Sequence, residues 1–468
     1  MRDWINTYVR RALGEDYGSR LWQDQQEVIR CYRFYDGAGQ EWITPRNLNY
    51  RPNQTIVNHT RKLIGKVSGF MFSRSPEIKL IPEEGSDESN VRRVAELENH
   101  IRTVLESNQW RKRLIRAGRD CFIGKRVALK VGVTDGRVVI RFRPAMEFFH
   151  DVTLDDAEKL SRVIFAYGCN EAREARNQRI WIQDWRMENG RCVISEGIYD
   201  GNGRLIEERC LDEDTHLDGL PVYVIVNDGT TSDVIGESDV AQLMGLQDDY
   251  NRRISDDQDA LKFHMFPQTI FTDASEESMA SVKISPGAML DLQTDPAKPD
   301  VQAKASKLEA GFNYDGRFEN SVDRLIRDMY TLESCPQVTE EYLKAVGVSG
   351  KAMRALYWDL QCKCEERWAE WDVALQWLVR EIVRQEKAFS VQDWTDCRYA
   401  VFIEHLYPIS DDEDEERKLD MQEVAQQVRS RRSYMDKWQP DGDVEDELKQ
   451  MAAERSLLEE GYGLEGGA

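Results

Sequence analysis

This chain of 468 residues has no run of about 18 apolar residues, so no segment is expected to cross a membrane as a helix. Its opening Met1-Arg2-Asp3-Trp4 is followed by no apolar stretch, and no secretory leader is expected. Histidine is scarce: His59, His100, His150, His216, His264 and His405 all stand alone, none four positions from another, which excludes a helical zinc site of the usual spacing. The nine cysteines are odd in number and scattered, as expected of reduced thiols in a cytosol. Cys362 and Cys364 fall in a helical pattern, where a two-residue spacing points them to nearly opposite faces, so neither a disulfide nor a shared metal is expected.

Catalytic motifs are missing as well. There is no G-x-S-x-G elbow. Gly350-Lys351 has the ending of a phosphate-binding loop, but Ala345 stands where a glycine is required and Ala352 where Ser or Thr should follow the lysine. Asp256, Asp257 and Asp259 form a carboxylate cluster, yet they lie on a long polar helix face and read as solvated surface. Asn53-Gln54-Thr55 and Asn58-His59-Thr60 match the glycosylation pattern, which has no meaning without a secretory route. No metal, cofactor or enzymatic activity is expected; an enzyme with a diffuse motif is the remaining alternative.

Net positive charge is absent too. The formal charge is −22 and the isoelectric point about 4.9, the reverse of what a protein that grips phosphates shows. What is present is core material: 41% apolar against 32% charged residues excludes wholesale disorder, and the length suits roughly two to four packed units.

Periodicity divides the chain. Residues 1–34 read as one or two short helices packed through Trp4, Tyr8, Leu21, Trp22 and Tyr32. Ile56, Val57, Ile64, Val67 and Phe70 predict a helix over 53–72, stopped by Ser75-Pro76; Val94, Leu97, Ile101, Val104 and Leu105 predict a second over 89–120. The period then changes to two. Strands are expected over 127–133, 138–142, 163–167, 180–185, 192–199 and 204–210, with turns at Asp135-Gly136, Asn189-Gly190 and 200–203, so residues 120–230 form an antiparallel β-rich module.

From Gly236 the pattern is helical again. Val240, Leu243, Tyr250, Ile254 and Leu261 mark a stripe along 236–262, a helix roughly 40 Å long. A compact non-helical insert spans 266–299, and a second helix over 312–332 carries Phe318, Val322, Leu325, Met329 and Leu332. After a loop over 337–348, Ser349 is placed to cap one long helix running to about Lys387, with Met353, Leu356, Leu360, Trp371, Leu375, Leu378 and Ile382 on its apolar face. A strand over 401–406 follows, then a helix capped by Ser410 with acids in its first turn, a helical pair over 430–453 and a disordered tail.

Four stretches in this order resemble the portal proteins of tailed bacteriophages, of the type found in long-tailed phages: residues 47–58 running to Ser75-Pro76; Ile235-Gly236-Glu237-Ser238-Asp239-Val240 through 246–251 to Asp259-Ala260-Leu261; Val348 to Arg354; and 430–435 followed by 443–447. Arg74-Ser75-Pro76 departs from that pattern by lacking a glycine. The resemblance implies an α+β, mainly helical portal fold. Its parts would be a wing (1–235), a first stem helix (236–264), a clip (265–310), a second stem helix (311–335), a channel loop (336–348), a long wing helix and strand (349–408), and a crown with a flexible tail (409–468). It also implies a dodecameric homo-oligomeric ring at one capsid vertex that passes double-stranded DNA during packaging, retention and ejection. Capsid protein, terminase and a head–tail adaptor would be partners, and no membrane would be involved. The protein would be found in the virion, and in the host cytoplasm during assembly. Another minor head or adaptor protein is the alternative within phage assembly.

In that frame Val240, Leu243, Tyr250, Ile254, Leu261, Leu325 and Met329 would pack the stem. Glu340, Glu341, Tyr342, Leu343 and Lys344 would form the channel loop, whose other reading is an ordinary helix connection. Asp248, Asp249, Asp256, Asp257 and Asp259 would either line the lumen or solvate an outer face. An acidic lumen removes the objection from charge, because a conduit must not hold its DNA: basic walls would release counterions and bind.

Overall fold

The computed structural model describes residues 3–44, 50–156, 158–170, 172, 174–231, 233–265, 268–272, 274, 294, 302, 304–308, 315–338, 350–408, 413–426, 428–438, 444 and 447–452. The channel-loop residues Glu340, Glu341, Tyr342, Leu343 and Lys344, the proposed caps Ser349 and Ser410, most of the insert over 266–299 and the tail lie outside them. The chain forms two compact units, Met1–Gln337 with Asp359–Tyr407, and Val338–Trp358 with Pro408–Ala468.

The larger unit is built on antiparallel strands. A five-stranded sheet runs in the order β4 (Phe148–Val152), β5 (Leu160–Gly168), β6 (Ile180–Glu188), β7 (Arg191–Tyr199) and β8 (Leu205–Asp214). A three-stranded sheet has β2 (Arg126–Thr134) between β3 (Arg137–Pro144) and β9 (Val222–Val226). Alternation along β5 feeds two cores. Val163 and Phe165 pack with Val28, Phe148, Trp185, Val222 and Val224; Ile164 and Ala166 pack on the other face with Ile5, Val9, Leu13 and Leu21. The second set comes from helices α1 (Asp3–Leu13) and α2 (Glu15–Asp36), which cover that face. Two predicted turns are present as expected. Asp135 and Gly136 (φ 51° and 69°) and Asn189 and Gly190 (φ 53° and 79°) are both left-handed pairs, the backbone that two-residue hairpins demand.

Around these sheets lie α3 (His59–Phe72), α4 (Glu88–Ser107), α5 (Trp110–Gly124), α6 (Asp239–Met265) and α7 (Asp315–Leu332). Strand β1 (Glu77–Pro82), which the sequence pattern did not announce, pairs with β12 (Tyr399–Glu404) more than 300 residues later. Between α6 and α7, β10 (Gln268–Thr272) pairs antiparallel with β11 (Lys304–Leu308).

Three helix expectations need correction. The helix expected over 53–72 begins only at His59, because the preceding backbone is held extended by side chains of α6. The helix expected over 89–120 is two helices. Asn108 breaks it by donating to the Val138 carbonyl and accepting from the Ile140 N–H, which ties the break to β3, and Gln109 follows at φ 53°. The single helix expected from Ser349 to Lys387 is likewise two segments, α8 (Gly350–Leu356) and α9 (Trp358–Ala388), parted at Tyr357. Asp359 sits in the first turn of α9, where the helix dipole favours a carboxylate and hence a new start.

In the smaller unit, α10 (Glu413–Ala425) packs on α11 (Arg431–Trp438). Asp420 joins them by accepting from Arg429 (2.5 Å), Lys437 Nζ (2.8 Å) and Trp438 Nε1 (2.8 Å).

Candidate functional site: a pair of long helices

Helix α6 begins at a backbone turn only glycine accommodates. Gly236 has φ 77°, and a Cβ there would lie 2.6 Å from the Asn227 carbonyl and 2.7 Å from that of Lys125. The turn delivers Asp239 into the interior, where it is 3% exposed. Arg367 of α9 donates to both its oxygens at 2.8 and 2.7 Å, and Asn227 Nδ2 adds a bond of 3.1 Å. Beside it, the fully buried Glu333, just past α7, accepts from Lys363 Nζ (2.9 Å) and Gln242 Nε2 (3.0 Å). Burial raises the Glu333 pKa, and the Asp239 charge raises it further. The Arg367 guanidinium lies 4.2 Å from the centre of the Phe122 ring; burial opposes its charge, but Asp239 outweighs this and raises its pKa. Two carboxylates and two cations therefore fasten the start of α6 and the end of α7 to α9.

Higher up, α6 has a polar face with a four-residue repeat: Gln247, Asn251, Ser255 and Asp259, all buried. These side chains hold an extended segment running antiparallel to the helix. Asn53 N–H donates to Asp259, Thr55 N–H to Ser255 Oγ (2.9 Å), Val57 N–H to Asn251 Oδ1 (3.1 Å), and His59 N–H to Gln247 Oε1 (2.8 Å). Gln247 Nε2 returns a bond to the Val57 carbonyl at 2.9 Å. The match is geometric. Two extended residues advance roughly 6.6 Å and four helical residues about 6 Å, so alternate strap amides meet successive turns.

A third face of α6 packs against α7. Val240, Leu243, Tyr250, Leu325 and Met329 are buried as expected, and Ile254 is half-buried. Leu261 is 46% exposed, so the expected stripe does not reach the end of the helix within one copy of the chain. The acids also separate. Asp259 is 7% exposed and bonded to Asn53, which removes it from any open wall; the expectation of a solvated or lumenal Asp259 is corrected on that ground. Asp248 is half-buried, and burial raises its pKa against the opposing charges of Arg252 and Arg30. Asp257 is half-buried, Asp249 pairs with Arg253 at 2.7 Å, and Asp256 is exposed. At 100° per residue, Gly245, Asp249, Arg252 and Asp256 share the face that neither strap nor α7 covers. That face mixes both signs.

Among the described residues no group of three or more His, Cys, Asp or Glu could hold a metal, and no helix is long and apolar enough to cross a membrane. A family model described as phage portal protein, SPP1 Gp6-like, matches residues 17–459. The chain belongs to the SPP1 Gp6-like phage portal protein family. No curated protein sequence matches it. Portal proteins are structural components of the phage capsid, and membership implies an oligomeric ring.

Within a portal protein the strap and the ion cluster are what sequence reasoning missed. The repeat Gln247, Asn251, Ser255, Asp259 was a visible signal, but polar residues at four-residue spacing are usually solvated, and only the structure supplies their partner. Both asparagines of the glycosylation-like triplets are also spent internally. Asn53 Nδ2 donates to Asp259 (2.8 Å), while Asn58 caps α3 by accepting from Arg61 N–H (2.9 Å) and donates to the Tyr35 carbonyl (2.8 Å).

Proposed function

We propose that this portal protein assembles into a dodecameric ring whose wall is built from the α6–α7 pair and through which double-stranded DNA passes during packaging, retention and ejection. Residues 1–235 and 349–408 would form the wing, 265–310 the clip that docks terminase and the head–tail adaptor, 336–348 the channel loop, and 409–468 the crown; capsid protein would surround the ring at its vertex. Assembly would take place in the host cytoplasm.

The observation that carries this reading is the open face of α6. It is charged, it follows the long axis of the stem, and it is not basic: Asp249 neutralises Arg253 and Asp256 stands near Arg252. A wall of this kind repels or ignores a duplex, whereas each phosphate gripped by a cation would add to binding and slow sliding. The test has two parts. Negative-stain images of the purified chain should show rings with a central hole; a chain that stays monomeric at every concentration would sink the reading. Asp249→Lys with Asp256→Lys should leave rings intact, raise duplex affinity and slow packaging, and unchanged packaging would remove this face from the channel.

A further inference from the structure

The larger unit carries a basic groove on an acidic protein. It has a volume of about 1270 Å³ and lies among β1, α4 and α5. Ile101, Trp110 and Ile115 form its apolar floor, and six cations against three carboxylates line it. Helix α5 contributes most of the charge. Its first turn contains Arg111, Lys112 and Arg113 and no acid, an arrangement the helix dipole disfavours. Arg111, Lys112 and Arg116 are exposed, Arg116 forms no ion pair among the described residues, and the buried Nε of Arg119 has no hydrogen-bond partner. Lys79 pairs with Glu77 and Glu404 and Arg102 with Glu98, whereas Arg111, Lys112 and Arg116 of α5 form no ion pair among the described residues and are open to an anion from outside.

The same unit presents a surface of the opposite kind. Strand β8 is the free edge of the five-stranded sheet, and its ten residues hold five carboxylates and one arginine. Leu205, Ile206 and Leu211 are exposed on it at 42%, 44% and 65%. Glu208 and Glu213 are exposed and form no ion pair among the described residues. A strand edge with exposed apolar side chains is a ready site for association.

We infer that the β8 edge of one copy docks into the α4–α5 groove of the next. The inference rests on the ring reading above, because a ring needs a heterologous contact that joins two different surfaces of the same chain. The two surfaces here differ in charge sign and share apolar content. Nucleic acid would satisfy the cations but leave the apolar floor bare, which is why a protein edge fits better than a phosphate backbone.

The experiment uses the full chain and mass photometry at fixed concentration. Lys112→Glu with Arg116→Glu, and separately Glu208→Lys with Glu213→Lys, should each weaken ring assembly roughly tenfold or more, and the four changes together should restore it. The neutral versions, Arg116→Gln and Glu208→Gln, should give smaller losses, and they keep the test valid if a reversal fails to melt like the parent chain. Rings that survive both reversals, or losses that the combined variant does not repair, overturn this interface. Rings that persist while Lys112→Glu with Arg116→Glu abolishes binding of a labelled duplex assign the groove to nucleic acid and overturn it as well. A parent chain that never forms rings sinks the ring reading itself, and this interface with it.

Discussion

Asp259, near the end of α6, accepts hydrogen bonds from both the backbone N–H (3.0 Å) and the side-chain amide (2.8 Å) of Asn53, 206 residues earlier. It is the last rung of the ladder that holds the strap on α6. Asp259→Ala leaves the Asn53 donors unpaired and should cost about 1–3 kcal/mol. The loss should be local: hydrogen exchange at residues 53–57 should speed up while amides of the five-stranded sheet stay protected. Gln247→Leu, at the opposite end of the ladder and fully buried, should release His59 and Thr60 instead. Uniform acceleration across the unit in either variant would mean the strap is not a separable element.

The Asp239–Arg367 pair makes a second prediction, because its members are only 3% and 8% exposed. Removing one partner strands a buried charge. Asp239→Leu or Arg367→Met alone should each cost about 3–5 kcal/mol in urea unfolding, whereas the two together should cost much less than their sum. Additive losses would show that the two side chains stabilise the fold independently.

Much of this fold was legible from the residues. Asp135-Gly136 and Asn189-Gly190 gave their hairpins because left-handed turns are a local property, and the stripe on α6 and α7 gave Val240, Leu243, Tyr250, Leu325 and Met329 because burial follows period. The failures share one cause, a partner distant in sequence. Residues 53–58 carry apolar side chains at near-helical spacing, but side chains some 200 positions away hold them extended. Asn108 looks neutral inside a helix until the β3 carbonyl and amide it serves are known. Asp259 looked like one more solvated acid, since nothing local distinguishes it from Asp256.

His150 predicts a pH dependence. It is 1% exposed, with Nε2 2.9 Å from the Val234 carbonyl, and burial, followed by the Arg126 charge, pushes its pKa down to about 3. The unfolded chain would bind a proton near pH 6.5, so the folded state gains from His150 above that value and loses that gain as pH falls toward 3. The slope for one such proton is at most about 1.4 kcal/mol per pH unit. His150→Gln, which keeps a donor for Val234, should therefore lose less stability than the parent between about pH 6.5 and 4. His405 works in the opposite sense. Burial opposes its charge, but Asp372 and Glu365 win and raise its pKa, so its contribution is present at low pH and lost as pH rises through the raised value. His405→Gln should remove the gain that the parent makes as pH falls from the raised value toward about 6.5, and leave the slope below about pH 6 unchanged; variants that alter the same pH window would refute both assignments.

Gly118 of α5 makes the last prediction through packing alone. A Cβ at this position would fall inside the van der Waals envelope of the Phe72 ring. That ring cannot retreat easily: it is fully buried, with Trp368 and Trp371 at 5.3 and 4.8 Å between ring centres and Phe122 stacked at 6.1 Å. The usual gain in helix propensity from Gly to Ala, about 1 kcal/mol, should be overwhelmed, and Gly118→Ala should destabilise the unit by about 1–3 kcal/mol net. Phe72→Leu alone should also be destabilising, by loss of contact with the two tryptophans. Combined with Gly118→Ala it should cost less than the sum, because the smaller side chain makes room for the new methyl. Strict additivity in urea unfolding would mean that α5 shifts as a body to relieve the clash.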